Sequence, residues 1–474
     1  MVVLERSTGC AGIFATRESR RVGSWLPGNE EVTMTAQKHL KQRIRARMAK
    51  TGERYAAARR YILRTAVPTP HDSSARWHMP GNVAATTALR VLLAHAGVRA
   101  PHTGEPFSEA MLFGIAGGIG IGVFSFYYQR EDIATFYVAG RHQWHDDLAY
   151  LRDALAGFAI EPVVMETGGA STAARQLTEL LDQHGPCIAW VDMAKLHHRA
   201  LPSDWSGSAY HIITVYSINP AAGTALIGDL ADQPIVITLD DLARARARIV
   251  KQRHRLLTLA PADPQIDLAE LVRRGLQRCY QGLIEPSLTQ APNNARLAVL
   301  RTWAERMYGS QEKDRWERIF QPGANLWRGL NAIHGYIEHY GTGGGLCRPL
   351  FADFLTEAAA VLQAPALAAL GQQYAALGRS WSELADAALP DHVAAMRATK
   401  QLHVRRTELL HSGDATAELQ AIEHEITSLA QAAGEHFPLP EAGCTALRAQ
   451  LAQRIHALHD AEVAAHAALG QAIA

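Results

Sequence analysis

Apolar positions recur along the chain with two different periods, and the switches between them divide it. In "AQKHLKQRIRARMAKTGERYAAARRYILRTA", residues 36–66, Leu40, Ile44 and Met48 return every fourth position, the spacing that stacks side chains on one face of a helix. Thr51 and Gly52 interrupt this helix, and a second short one is expected through Tyr55, Ala58 and Ile62. In "GNVAATTALRVLLAHAGV", residues 81–98, Ala88, Leu89, Leu92, Leu93 and Ala96 make a helical face. Asn82 is the expected N-cap of that helix and Gly97 its left-handed cap. The period then shortens: "EPVVM", "CIAWVD", "HIITVYS", "ALIGDL" and "PIVITL" are β-branched runs parted by turn residues, which predicts one largely antiparallel sheet. Thr238, followed three residues on by Asp241, has the spacing of a capping box and opens another helix.

From about residue 261 the strand signal stops and segments of helical period follow one another. Trp303, Trp316, Trp327 and Trp381 are expected to fill helix-to-helix contacts there, and breaks near "HSGDA" and "HFPLPEAGC" set off a helical hairpin or bundle extension. The predicted class is α+β followed by an all-α region. Its expected divisions are a lead-in without fixed structure at 1–35, a basic helical arm at 36–66, the helix-and-sheet domain at 67–260, a helical domain at 261–390 and the extension at 391–474.

Composition narrows this picture without redirecting it. A chain of 474 residues, 48% hydrophobic, can fill two or three packed domains. Lys and Arg total 47 against 46 for Asp and Glu, so overall charge gives no reason to expect nucleic acid or a membrane as partner. The basic arm is expected to dock on its own protein, with a grip on an acidic carrier as the alternative. The uncharged run "MLFGIAGGIGIGVFSFYYQ", residues 111–129, approaches membrane-spanning length, but Gly114, Gly117, Gly118, Gly120 and Gly122 break it into a helix end, a turn and a strand about Val123–Tyr128. The N-terminus has no sustained apolar stretch of a secretory leader, and Met34 is an alternative start. Cys10, Cys187, Cys279, Cys347 and Cys444 stand singly, a usage that fits a reducing, cytoplasmic setting, with Cys187 an inert thiol on a buried strand.

The arrangement richest in chemistry joins His211, at the start of "HIITVYS", to Asp229, at the end of "ALIGD". Antiparallel strands connected by the "INPAAG" turn would bring both to one end of the sheet, where a carboxylate orients an imidazole and fixes its tautomer. A third group is then expected at a helix N-terminus, where free N–H groups and the dipole favour negative charge.

With these residues the chain resembles the papain-like domain family named after butirosin biosynthesis protein H, an acyltransferase of aminoglycoside antibiotic biosynthesis. The resemblance runs through "TTALRVLLAHAG" at 86–97, "EAMLFGIAGGIGIGVFSF" at 109–126, "AYHIITVYS" at 209–217 and "IGDLA" at 227–231. It continues into a following helical domain of unknown function through "HYGTGGGLCRPLFADFLTEAA" at 339–359. The family carries His-Cys ahead of the "TTAL" helix. Here those positions fall on Val83 and Ala84, so the place of the nucleophile is degenerate.

What the resemblance implies is acyl transfer, or amidase-type chemistry, on a carrier-bound thioester or an amide, with His211 as base, Asp229 as its orienter and no cofactor. The acyl donor would ride on an acyl carrier protein and a small amine would accept. The alternative, from a different class, is a non-catalytic binding or scaffold protein that keeps the cleft. His78, six residues before Ala84, and Asn82 are candidate donors to an oxyanion, and Asp192 at the end of "AWVD" a candidate pocket residue. Gly343 and Gly344, with Arg348, could hold a pantetheine phosphate, although a tight helix connection needs the same glycines. Thr86 and Thr87 are expected in capping or core roles, and the pairs His142/His145 and His197/His198 in ordinary polar roles rather than as metal ligands.

Overall fold

The computed structural model describes residues 42, 44–55, 58–59, 75–260, 264–285, 288, 291–413 and 415–474. The expected lead-in with Cys10 and Met34, and also Leu40, Ile62 and the segment 67–74, lie outside the described residues. The arm is helical over 44–51. It stops where Gly52, at φ +70°, donates its N–H to Met48 O at 2.9 Å. Ile44, Tyr55 and Ala58 then bury one another in a small cluster.

Helix α1 spans Ala84–His95 and buries Leu89, Leu92 and Leu93. Gly97 ends it at φ +88°, and the Val98 N–H returns to Leu93 O at 2.9 Å. Its start departs from expectation, because the N-cap is Val83, which offers no side-chain bond. Asn82 is not the cap. Its side-chain Nδ2 and its backbone N–H both go to Glu109, at 3.2 and 2.8 Å, and the same carboxylate accepts from Val83 N–H at 2.8 Å. A carboxylate arriving from helix α2, Glu109–Ile115, satisfies several N–H groups at once and complements the helix dipole, which a single amide oxygen cannot match.

The uncharged run turns as its glycines require. After α2, Gly117 and Gly118 take φ of +103° and +57°. Strand β1, Ile119–Tyr128, then pairs antiparallel with β2, Ile133–Arg141, as a separate two-stranded hairpin. Helices α3, Asp147–Gly157, and α4, Ala170–His184, follow on either side of the short β3, Val163–Met165. Strands β4 Cys187–Asp192, β5 Tyr210–Asn219, β6 Thr224–Gly228 and β7 Ile235–Thr238 precede helix α5, Leu239–Arg248, and β8, Leu256–Thr258. Thr238 caps α5 by accepting the Asp241 N–H at 3.0 Å. The sheet has six strands in the order β3-β8-β4-β5-β6-β7, every neighbouring pair antiparallel.

The remainder is helical: α6 Leu268–Ile284, α7 Val299–Met307, α8 Trp316–Ile319, α9 Ala324–Glu338, α10 Arg348–Leu362, α11 Pro365–Ala388, α12 Ala394–Ser412, α13 Thr416–Glu435 and α14 Glu441–Ile473. Trp303, Trp316, Trp327 and Trp381 are buried between these helices. Phe136 of β2 lies 5.2 Å, centroid to centroid, from both Trp303 and Trp316, so the hairpin packs on helices rather than on the larger sheet. The main core is continuous from Val83 to Leu469, while a second cluster fills the space between the six-stranded sheet, α4 and α5. The architecture is α+β followed by an all-α region. Among the described residues no helix is long and apolar enough to cross a membrane, and Cys187, Cys279, Cys347 and Cys444 are buried.

Candidate active site

Strands β5 and β6 bring the separated His211 and Asp229 together. Thr214 stands opposite Gly228 in their ladder, so the chain leaves β6 as Asp229 near the start of β5. His211 Nε2 is 2.6 Å from Asp229 Oδ1. The carboxylate is shared further: His198 Nε2 reaches Oδ2 at 2.6 Å, Arg199 Nε donates to Oδ2 at 2.8 Å, and Arg199 Nη2 donates to Oδ1. Arg199 Nη2 also lies 2.8 Å from His211 Nε2. The Asp229 side chain is wholly buried, whereas His211 and Arg199 keep 10% and 11% of their side-chain surface exposed, which leaves one edge of the cluster open.

These contacts set the protonation states. Burial works against ionising Asp229, but Arg199, His211 and the bond from His198 outweigh it and hold the carboxyl well below the usual range. Burial lowers the His211 pKa, Asp229 opposes that, and Arg199 adds to the lowering, so the ring is neutral near pH 7. An ionised Asp229 can only accept, so its bonds place the ring protons on His211 Nε2 and His198 Nε2, and the approach of Arg199 Nη2 to His211 Nε2 is then a contact of two donors that share Asp229 Oδ1 rather than a hydrogen bond. The Nδ1 atoms are then lone-pair acceptors. No bond to His211 Nδ1 is found among the described residues, and His198 Nδ1 is buried without a partner.

His198 and Arg199 were not foreseen as partners of Asp229. The basic cluster "LHHRA" was visible, but the carboxylate it would meet depended on a loop folding back over the sheet end. His197, its neighbour, goes elsewhere and pairs with Asp241 at 2.9 Å. Behind the pair, His78 is buried and bridges Tyr216 Oη at 2.9 Å and Ala231 O at 3.1 Å. Gly228 allows this, since a Cβ there would sit 2.4 Å from Tyr216 Oη. His78 is thus spent on bracing the turn after Asp229.

Between α1 and the sheet lies a void of about 10 Å³ lined by Ala84, Thr87, Ile212, Thr214, Gly228 and Asp229, at the lower limit for one water. Ala84 and Asp229 therefore share a cavity, which His211 does not line. Ladder register gives the reason: His211 stands opposite Val191, and Ile212 opposite Trp190. Ile212 and Trp190 belong to the core that includes α1, Val191 to the cluster under α5, and side chains alternate along a strand. Thr86 Oγ1 donates to Val83 O at 3.0 Å and Thr87 Oγ1 to Glu109 at 3.2 Å, both local roles.

The other sequence candidates lie apart from this cluster. Asp192 is buried and accepts from the N–H groups of Ala194 and Gly207 at 3.1 and 2.6 Å, which closes the loop after β4. Gly343, Gly344 and Arg348 do not form an anion cradle. The glycines are buried, and Arg348, with no exposed surface, is bonded to Glu462 at 2.7 Å and to the carbonyls of Gly120, Gly140 and Leu346. Its charge is already neutralised inside the protein. Burial brings the His142 imidazole down to about 4, with Arg141 adding to the effect. Among the described residues no group of three or more His, Cys, Asp or Glu is arranged to hold a metal ion.

The fold and this cluster together define a class: an α+β domain with an oriented imidazole at its sheet end, joined to an all-α region. Residues 84–230 match the family Butirosin biosynthesis protein H, N-terminal, and residues 240–428 match a Domain of unknown function (DUF4872). The helix-and-sheet region is thus similar to the N-terminal domain of butirosin biosynthesis protein H, and the helical region after it to that second domain. No curated protein matches the chain.

Proposed function

We propose that the protein transfers an acyl group from a carrier-bound thioester to a small amine without forming an acyl-enzyme. The observation that carries this reading is the buried His211–Asp229 pair with its Nδ1 left open. His211 Nδ1 takes a proton from the attacking amine, the amine nitrogen bonds to the thioester carbonyl carbon, the C–S bond breaks, and the departing thiolate recovers the proton. A thioester is activated enough for direct attack by an oriented amine. Ala84 at the start of α1 removes any thiol route at that position, and the similarity of residues 84–230 to the N-terminal domain of butirosin biosynthesis protein H supports acyl chemistry in antibiotic-like metabolism.

A second reading, a binding or scaffold protein with a papain-like cleft, is favoured by a different observation. Glu109 occupies the N–H groups ahead of α1, where an oxyanion would otherwise be held, and the void beside Ala84 admits at most a water. One experiment separates the readings. The full chain is given a pantetheine acyl thioester and a small aliphatic amine, and thiol release is followed with and without amine. Amine-dependent release that is lost in His211→Asn supports direct transfer. Release that His211→Asn leaves unchanged, or an acyl adduct on the unsubstituted chain by intact mass, overturns it. Absence of amine-dependent release with retained binding of the thioester favours the scaffold.

A further inference from the structure

The basic arm reaches the site. Arg59 has no exposed surface, and its guanidinium forks across three backbone and side-chain acceptors. Nη1 donates to Gly81 O at 2.9 Å, Nη2 to Leu230 O at 2.9 Å and to Asp232 Oδ1 at 2.6 Å, and Nε to the same Oδ1 at 3.1 Å. Gly81 lies three residues before α1, and Leu230 directly follows Asp229. Leu230 is held at φ +57°, a left-handed conformation that a branched side chain keeps only where surrounding bonds enforce it. The bond from Arg59 to the Leu230 carbonyl is such a restraint. Asp232 is fixed from the other side, its N–H donating to His411 O at 2.7 Å, while Tyr55 of the arm stacks on the His411 ring at 5.7 Å. Further along the arm, Arg45 pairs with Glu408 at 2.7 Å and Arg54 with Glu338 at 3.2 Å.

We propose that Arg59 is a positioning residue of the site: it ties the turn that carries Asp229 to the start of α1, so the His211–Asp229 geometry depends on the docked arm. The inference rests on that pair being the chemically active group. Planarity and five fixed N–H donors let one guanidinium bind a carboxylate and two carbonyls in one plane, which a lysine ammonium does not reproduce. Loss of the fork frees Leu230 to leave its left-handed conformation, and Asp229, the preceding residue, turns with it.

The test uses the full chain and reads the imidazole N–H proton of His211, held between Nε2 and Asp229, by nuclear magnetic resonance; His211→Asn assigns the signal. Arg59→Gln is expected to abolish or broaden it, Asp232→Asn to weaken it, and both to move the His211 titration up toward an ordinary histidine as water enters. Arg54→Gln, which cuts the arm at Glu338 while leaving the fork intact, is expected to lower thermal stability yet keep the signal. Arg59→Lys is expected to restore it only in part. A signal that persists unchanged in Arg59→Gln and in Asp232→Asn overturns the inference, whatever their thermal stability. Should Arg59→Gln fail to fold, Asp232→Asn and Arg59→Lys decide the matter alone. A signal missing from the unsubstituted chain refutes the pair, and with it the reading of the site, which keeps the two failures distinct.

Discussion

Two buried clusters in this molecule each hold a carboxylate against a guanidinium. At the sheet end, Asp229 is gripped by Arg199, His198 and His211. In the helical half, Glu462 is gripped by Arg348 and by Trp381 Nε1, each at 2.7 Å, with no surface of the ion pair exposed. The second cluster closes on backbone: Arg348 collects carbonyls from the hairpin and from the loop before α10, so it locks the hairpin to α14. The first contains two imidazoles at a partly exposed edge and keeps a ring nitrogen of His211 open. Buried charge alone therefore does not mark a site. Unfinished hydrogen bonding does not mark one either, since Arg348 Nη2 and Glu462 Oε2 are buried without partners; what distinguishes the sheet end is an imidazole oriented at a partly exposed edge.

The contrast can be broken at its strongest point first. Arg348→Met leaves Glu462 buried without its cation and is expected to cost about 3–5 kcal/mol, measured by urea unfolding. The paired change Arg348→Met with Glu462→Leu is expected to recover most of that loss. A single-variant cost below about 1 kcal/mol, the range of an exposed pair, would erase the distinction.

Asp229→Asn is expected to cost less, about 2–3 kcal/mol, because partners of a lost charge lie at a partly open edge. It also changes the acid response. The folded pKa of Asp229 lies below its unfolded value, so its contribution is complete above about pH 4 and disappears as pH falls through the folded pKa. Unfolding of Asp229→Asn measured from pH 5 downward should lack that part of the acid loss. If the two curves fall in parallel, the carboxylate is not stabilised as its contacts require.

The smallest change is Arg199→Met, about 1–2 kcal/mol, since two imidazoles still hold Asp229. Arg199 contributes to depressing His211, so its removal should raise the His211 titration midpoint. The sign follows for stability as well. A histidine depressed in the folded state disfavours folding as pH drops below about 6.5, and this penalty should shrink in the variant. A midpoint that stays in place, followed by nuclear magnetic resonance, would show that Arg199 does not govern the base.

Much of the fold was legible because its signals are local. The face of α1 and its Gly97 cap, the five strand runs of one antiparallel sheet, the Thr238 cap and the break at Gly117–Gly118 each follow from neighbours in sequence. The Asn82 cap failed because Glu109, a residue 27 positions away, satisfies the same N–H groups better. Arg348 looked available to an anion because Glu462, its partner, is 114 positions distant. For the site, the sequence pointed to His211 and Asp229 but not to His198 and Arg199, whose role depends on a loop returning to the sheet end.

By itself, then, the sequence determined which segments are helix and which are strand, where each apolar face lies, that an imidazole and a carboxylate border one strand pair, and that an alanine rather than a nucleophile opens α1. Periodicity and capping act within a few residues, and their physics is complete at that range. Tertiary structure alone decided which charges neutralise each other, which N–H groups of α1 are already taken, on which side of β5 His211 stands, and that the arm's Arg59 reaches the turn after Asp229. Those outcomes depend on competition among partners far apart in the chain, settled by which of them burial brings within 3 Å or so of each other.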